Sequence, residues 1–230
     1  MAGFESILHS LTVVQGALPY ILKGSLVTIG IVVGAMGMGL VFGVPMAVAQ
    51  VYGNRLLKVI VGLYVWIFRG IPVLVLLFLF YFGLFSLLDL NITAFWASIL
   101  VLGFRGMAYQ SQIFRGAIQS LPQGQLRAAQ ALGMSDIKAI RCIILPQALR
   151  LSIPGWSNEY SIVLKDSAIA FVLGTSEIMS RTHFVASRTY EQLALYLTAG
   201  AVFFVLTMAG LRLLHSLEHK VAIPGYSPQS

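Results

Sequence analysis

The chain has 230 residues, of which 58% are hydrophobic and only 10% charged, with a mean hydropathy of +0.86. Soluble domains carry about 25% charged and about 45–50% apolar residues, so a single water-exposed core is excluded as the place to hide this much apolar surface, and lipid is the solvent the composition calls for. The formal net charge of +7 does not point to nucleic acid, because Lys and Arg sit at the ends of apolar segments and form neither a run nor an aromatic-interleaved patch. Cys142 is the sole cysteine, which excludes an intrachain disulfide and a Cys-based metal cluster. No Lys or Arg precedes Lys23 and no small-residue cleavage site follows a short apolar stretch, so the first apolar segment is expected to be retained.

About 20 apolar residues cross the roughly 30 Å hydrocarbon layer. From Gly24 to Val51 no residue is charged. A second run covers Leu56 to Leu88, interrupted by Arg69-Gly70-Ile71-Pro72, and a third covers Ile92 to Ile118 with Arg105 near its middle. A fourth, between Gln147 and Leu173, contains Pro154-Gly155, Glu159, Lys165 and Asp166; a fifth runs from Gln192 to Leu214. The expectation is therefore an all-α membrane protein of about five transmembrane helices, a single domain over 1–230. With the N-terminus outside, Arg55, Lys58, Arg115, Arg127, Lys138, Arg141, Arg150, Arg212 and Lys220 face the cytoplasm, and only Lys23, Arg181 and Arg188 face out. That asymmetry sets the orientation as N-terminus outside and C-terminus cytoplasmic. Gly30-x-x-x-Gly34 and Gly39-x-x-x-Gly43 permit close helix contact, either in a dimer seam or within the chain.

Residues 120–146 form a polar excursion between the third and fourth runs. Pro122 suits a helix start, Gln125 to Leu132 favours helix, and Gly133 suits its end. Ser135 is a plausible N-cap for a second helix, Asp136 to Leu145, ending before Pro146. Two short helices meeting at a glycine make a compact protrusion, with the small Ala128-Ala129 surface suited to a partner's groove; a plain amphipathic interfacial helix pair is the other reading.

The arrangement Ala128-Ala129-x-x-x-Gly133, followed by Ile144-Leu145-Pro146-Gln147-Ala148, resembles the EAA loop of ABC importer permeases. Arg69-Gly70-Ile71-Pro72 is similar to the family's Arg-Gly-Thr-Pro, and Ala108-Tyr109, Ile113 and Arg115-Gly116 resemble its third span. Leu121-Pro122-x-Gly124-Gln125 and Lys165-Asp166-Ser167 are similar to the polar amino acid (histidine/glutamine/arginine-type) branch. The resemblance covers roughly residues 20 to 215 and implies the MetI-like transmembrane fold, with a coupling-helix loop that docks on an ATPase. Gln125, Arg127, Ala128, Ala129, Leu132 and Gly133 fall on the docking surface. Two positions depart from the pattern: Arg127 stands where the family usually has Glu, and Gln112 replaces a common Glu. The partners implied are an ATP-binding subunit carrying ATP and Mg, a second copy or a homologous permease, an extracytoplasmic solute-binding protein, a polar amino acid and membrane lipid. No cofactor is implied for this chain itself, and no nucleic acid.

Ionisable residues inside lipid are costly and mark function by default. Glu159 and Asp166 are seven residues apart, which on an uninterrupted helix puts them on one face. Such a pair suits an ammonium or cationic side chain, and Arg105 suits a carboxylate. The resemblance places Glu159 and Asp166 in the segment lining the translocation path; pairing of Arg105 with Asp166 to make burial tolerable is the competing reading. The Pro154-Gly155 break and Gly174 suggest a discontinuous helix, and Tyr64, Trp66 and Trp156 read as interface anchors.

No Gly-x-x-x-x-Gly-Lys-Ser/Thr run occurs, so ATP hydrolysis is expected on another subunit and no catalytic residue is assigned. His215-Ser-Leu-Glu218-His219 matches the spacing of inverted zinc peptidases, but it sits at the polar end of the last run without a downstream acidic ligand. The expected function is alternating-access import of polar amino acids driven by a separate ATPase. An ion-coupled secondary carrier is the alternative, and a membrane metallopeptidase a remote one.

Overall fold

A computed structural model describes residues 2–221; residue 1 and residues 222–230, the ends of the expected 1–230 domain, lie outside the described residues. No strand occurs among the described residues. The helices are α1 (Ala2–Tyr52), α2 (Arg55–Gly70), α3 (Val73–Phe78), α4 (Phe85–Leu87), α5 (Ala94–Ser120), α6 (Gly124–Ala131), α7 (Asp136–Ala139), α8 (Leu145–Leu151), α9 (Ile153–Asp166), α10 (Ile178–Thr189) and α11 (Gln192–Val221). A π-helical turn, Leu79–Leu84, joins α3 to α4; a second, Ile140–Ile144, joins α7 to α8; a 3-10 stretch, Ser167–Leu173, follows α9.

The all-α membrane fold is as expected, but its spans are not five straight helices. Leu8–Tyr52 of α1 and the whole of α11 are long and apolar enough to cross a membrane. The second expected run becomes a bent pair, α2 and Val73–Leu87, turned through 106° at Ile71-Pro72. Pro72 lacks the N–H a helix needs there, and it forces Ile71 into an extended conformation at φ −101°, ψ 132°. α5 has the length, about 40 Å at 1.5 Å per residue, but carries Arg105, Gln110, Gln112 and Arg115. The fourth expected run is shared among α8, α9 and the 3-10 stretch.

The helix opening at Asp136 does not stop before Pro146, as its sequence suggests. The Leu145 N–H reaches back five residues to the Ile140 carbonyl. That wide turn gives room for a proline ring that would otherwise strike the carbonyl four residues back, and α8 continues with Pro146 in its first turn. The break expected at Pro154-Gly155 falls two residues earlier, at Ser152, between α8 and α9. Pro154 is the second residue of α9, where a missing N–H costs nothing, and Trp156 N–H bonds the Ser152 carbonyl at 2.8 Å. A second interruption comes after Asp166, in the 3-10 stretch that ends at Gly174 in the left-handed conformation, φ 86°.

The chain divides into two compact units. One takes residues up to Ala35, Pro72–Leu102 and Ser161–Ala209. Its core gathers Ile21, Ile178, Ala186, Leu195 and Ala199. α1 approaches α5 here through glycines, since a Cβ at Gly34 would lie 2.8 Å from Ile99 Cγ2 and one at Gly30 would lie 3.2 Å from the Phe95 ring. Gly24 packs against the Glu177–Ile178 backbone, where a Cβ would come within 2.7 Å of the Ile178 nitrogen. Glu177, fully buried, caps α10 by accepting from Met179 N–H at 2.8 Å and Ser180 N–H at 2.6 Å.

The other unit takes Met36–Ile71, Gly103–Tyr160 and residues from Gly210 on. Ala47, Phe114, Ile118, Leu121, Ile144 and Ala148 form its core. Gly39 and Gly43 again let α1 close on α5, facing Gln110 and Ser111. The two Gly-x-x-x-Gly pairs are thus occupied by packing within the chain. Gln110 is fully buried and accepts from Trp156 Nε1 at 2.7 Å, and the Tyr64 hydroxyl donates to the Phe104 carbonyl at 2.7 Å. Tyr64 and Trp156 are therefore packing pieces and not interface anchors; their polar tips are consumed inside the fold. Trp66 is 75% exposed, so its ring is not taken up by packing within the chain.

A Cβ at Gly155 would lie 2.8 Å from Ile113 Cγ2. Gly155→Val should cost about 1–3 kcal/mol through overpacking of α9 on α5, and Ile113→Ala should recover part of that loss, read as non-additivity in thermal unfolding of the detergent-solubilised double mutant. Burial pushes the Glu177 carboxyl up from 4.5 to about 7, against the pull of its two N–H partners. A raised folded-state value favours the protonated fold, so this stabilisation is complete below about pH 4.5 and lost as pH rises through about 7. Unfolding scans should show the protein about 2 kcal/mol more stable at pH 5 than at pH 8 from this group, and Glu177→Gln should remove that difference.

Candidate functional site

The polar excursion folds as a helical hairpin. α6 ends in a complete left-handed cap. Gly133 has φ 83°, its N–H bonds the Gln130 carbonyl at 2.9 Å, and Met134 N–H reaches the Ala129 carbonyl at 3.1 Å. Only glycine takes that conformation without a Cβ penalty, so the reversal into α7 is written into one residue. α6 opens at Gly124, two residues after Pro122, which lies outside the helix. Ser135 stands at the N-cap of α7 with extended backbone but makes no side-chain capping bond. Gln130 Nε2 instead donates to Asp136 Oδ1 at 2.7 Å and ties the two helices together.

The six residues expected to dock the ATPase fall into different environments. Arg127 and Ala128 are exposed, and Leu132 is 84% exposed. Ala129 is buried, so the small surface expected of Ala128-Ala129 reduces to Ala128. Gln125 faces inward and exchanges two amide hydrogen bonds with Gln147, at 3.0 and 2.9 Å, bracing α6 to α8. Gly133 forms the turn. Ile137, which the sequence reading did not single out, is 79% exposed on α7. Two bare branched side chains thus flank the glycine turn. A cavity of ≈ 480 Å³ lies beside α6, bordered by Tyr52, Pro122, Leu126 and Arg127.

The ionisable residues of the expected path are also distributed. Glu159 is buried and Asp166 half-buried, both on α9, which is unbroken between them. Arg105 lies with its guanidinium 4.4 Å from the Tyr109 ring centroid, and Arg69 stands 4.9 Å from the same ring. Tyr109 as a platform for two cations was invisible to sequence reasoning, since Arg69 and Arg105 come from helices far apart in the chain. At the end of α11 the two imidazoles of His215 and His219 face each other through their Nε2 atoms at 3.0 Å, with His215 Nδ1 3.2 Å from Glu218.

The sequence matches the family described as "Binding-protein-dependent transport system inner membrane component" over residues 39–223. It is 34% identical over 204 residues to the arginine transport system permease protein ArtQ of Bacillus subtilis, covering 89% of this chain and 93% of that one. It is 32% identical to the histidine/lysine/arginine/ornithine transport system permease protein HisM of Salmonella typhimurium, covering 87% of this chain and 89% of HisM. Among solved structures, an amino acid ABC transporter with histidines matches at a TM-score of 0.81 and 31% identity, over 91% of this chain and 97% of that one. An inward-facing MetNI methionine ABC transporter shares the fold, with a TM-score of 0.70 and 19% identity over 86% of this chain and 95% of that one. The family implies a separate ATPase and a second permease as partners. The chain belongs to the binding-protein-dependent transport system inner membrane components and is a membrane-embedded permease subunit of an ABC importer, with ATP hydrolysis carried by another subunit.

Proposed function

We propose that the solute carried by this permease is a polar amino acid, moved by alternating access and delivered by an extracytoplasmic solute-binding protein. The substrate class is supported by the relatives, which are named as permeases for arginine and for histidine, lysine, arginine and ornithine. Within the single permease domain, residues 120–146 are the loop gripped by the ATPase, which holds the ATP and Mg. The N-terminus faces outside and the C-terminus the cytoplasm, because that arrangement puts the loop and most Lys and Arg residues on the ATPase side.

One observation carries the docking assignment: Leu132 and Ile137 are 84% and 79% exposed on either side of a glycine turn that is itself held by a closed set of hydrogen bonds. A rigid hairpin with bare apolar side chains at its tip suits a groove on a partner. Arg127 is exposed beside them, so the matching ATPase surface is expected to accept a cation at that position. α6 is braced to α8 through the Gln125–Gln147 pair, and α8 with the π-helical turn before it packs with α1 and α5 through Ala148, Ile144, Ala47 and Phe114. Displacement of the hairpin is thereby passed to long helices. On the substrate side, Glu159 and Asp166 are assigned to the ammonium or cationic side chain, and Arg105 to the carboxylate.

Leu132→Asp should leave the permease folded and inserted, because the residue is 84% exposed. It should reduce recovery of the ATPase on co-purification at least about ten-fold, the scale of losing one buried apolar anchor; undiminished recovery with normal uptake would remove the docking assignment. Glu159→Gln should lower proteoliposome uptake of arginine more than that of glutamine, by about ten-fold for one charge-assisted contact. Equal losses for the two solutes would remove the ionic contact.

A further inference from the structure

A second cavity in the unit built from 36–71 and 103–160 has a chemistry that neither docking nor the expected path uses. It is a shallow, open depression of ≈ 500 Å³ bordered by Gln50, Trp66, Arg69, Tyr109, Gln112 and Arg115. Its border holds two guanidinium groups and no carboxylate. Arg69 lies over the Tyr109 ring, and Arg115 donates from Nη1 to Gln112 Oε1 at 3.3 Å. The buried Nε of Arg115 has no hydrogen-bond partner. Gln112 in turn donates to Gln50 Oε1 at 2.7 Å. The polar floor is therefore made of neutral amides, and neither Arg69 nor Arg115 pairs with a carboxylate among the described residues. In a membrane protein, two uncompensated cations around one cavity call for an anion.

The approach to the cavity is apolar. Val59, Leu63 and Trp66 recur at helical spacing on α2 and are 60%, 55% and 75% exposed. A small free anion has no use for that stripe, and an apolar peptide would leave both charges unanswered. A molecule with an anionic head and a hydrocarbon tail satisfies both halves. We propose that this cavity binds the phosphate headgroup of an anionic phospholipid, with Arg69 and Arg115 on the phosphate oxygens and an acyl chain along Val59, Leu63 and Trp66. Arg115 lies one and a half turns before the end of α5, so a headgroup held there braces the helix that leads into residues 120–146. The inference rests on the membrane location of the family and is independent of which solute is carried.

Native mass spectrometry of the full-length permease, titrated with phosphatidylglycerol or phosphatidylcholine, tests it without any transport readout. The expected result is retention of phosphatidylglycerol about ten-fold above phosphatidylcholine, lost in Arg69→Gln/Arg115→Gln and partly kept in Arg115→Lys. A wild-type protein that holds the two lipids alike, or a preference that survives the double substitution, overturns the site. Competition by glycerol 3-phosphate as strong as that by phosphatidylglycerol would show a free-phosphate site and overturn the lipid assignment. Should the double variant fail to fold, Leu63→Asn/Trp66→Asn alters only exposed side chains; it should weaken phosphatidylglycerol retention, and unchanged retention would remove the acyl-chain half.

Discussion

The packing of α1 directly on α5 is the constraint from which the rest of the molecule follows. Inside lipid there is no hydrophobic gain from pressing two apolar helices together, so contact has to come from dispersion and from polar groups that find partners. Glycines at 30, 34, 39 and 43 remove the side chains that would hold the backbones apart, and the facing residues Phe95, Ile99, Gln110 and Ser111 fill the space. The same device works in each compact unit. Where it brings a polar residue inside, as with Gln110, the amide is answered by the Trp156 indole and by Met36 Sδ at 3.5 Å. A buried polar group left unanswered in lipid costs more than the packing supplies.

A rigid seam also gives the hairpin, in its proposed docking role, something to act on. α5 runs from the seam to Ser120, four residues before α6 begins, and the second π-helical turn and α8 return the chain to the same core through Ile144 and Ala148. The hairpin is stiff at both joints. At its tip the Gly133 cap closes the backbone hydrogen bonds, and at its base the reciprocal Gln125–Gln147 amides hold α6 to α8. A floppy loop would absorb a motor stroke, whereas a hairpin without slack transmits it. In the proposed docking role, the apolar tip would meet the partner and the stiff base would pass on its motion.

The cationic cavity belongs to the same logic. Arg69 on α2 and Arg115 on α5 border it, and Tyr109 holds Arg69 against its ring face. Aromatic faces stabilise guanidinium groups without needing a carboxylate. This leaves the local charge positive and available to an anionic neighbour, and the amide pair Gln50–Gln112 does nothing to cancel it.

The membrane class, the polar excursion after the third apolar run and the glycine that ends its first helix were all legible in the sequence. Each depends on composition or local backbone chemistry: too few charges for water, too many helix formers and amides in residues 120–146 for lipid, and a position that only glycine occupies without strain. The family motifs likewise sit in local runs of residues. What the sequence misjudged was Pro146. It looked like a helix end, yet a π-helical turn absorbs it through a hydrogen bond spanning five residues, whereas the break expected at Pro154 is present at Ser152, with Pro154 in the first turn of α9. Burial of Ala129, the inward turn of Gln125, the capture of Trp156 and Tyr64, and the meeting of Arg69 with Tyr109 were likewise decided only by tertiary structure. All are contacts between helices, and hydropathy along a chain reports the preference of a residue for lipid or water, not which neighbour will stand beside it.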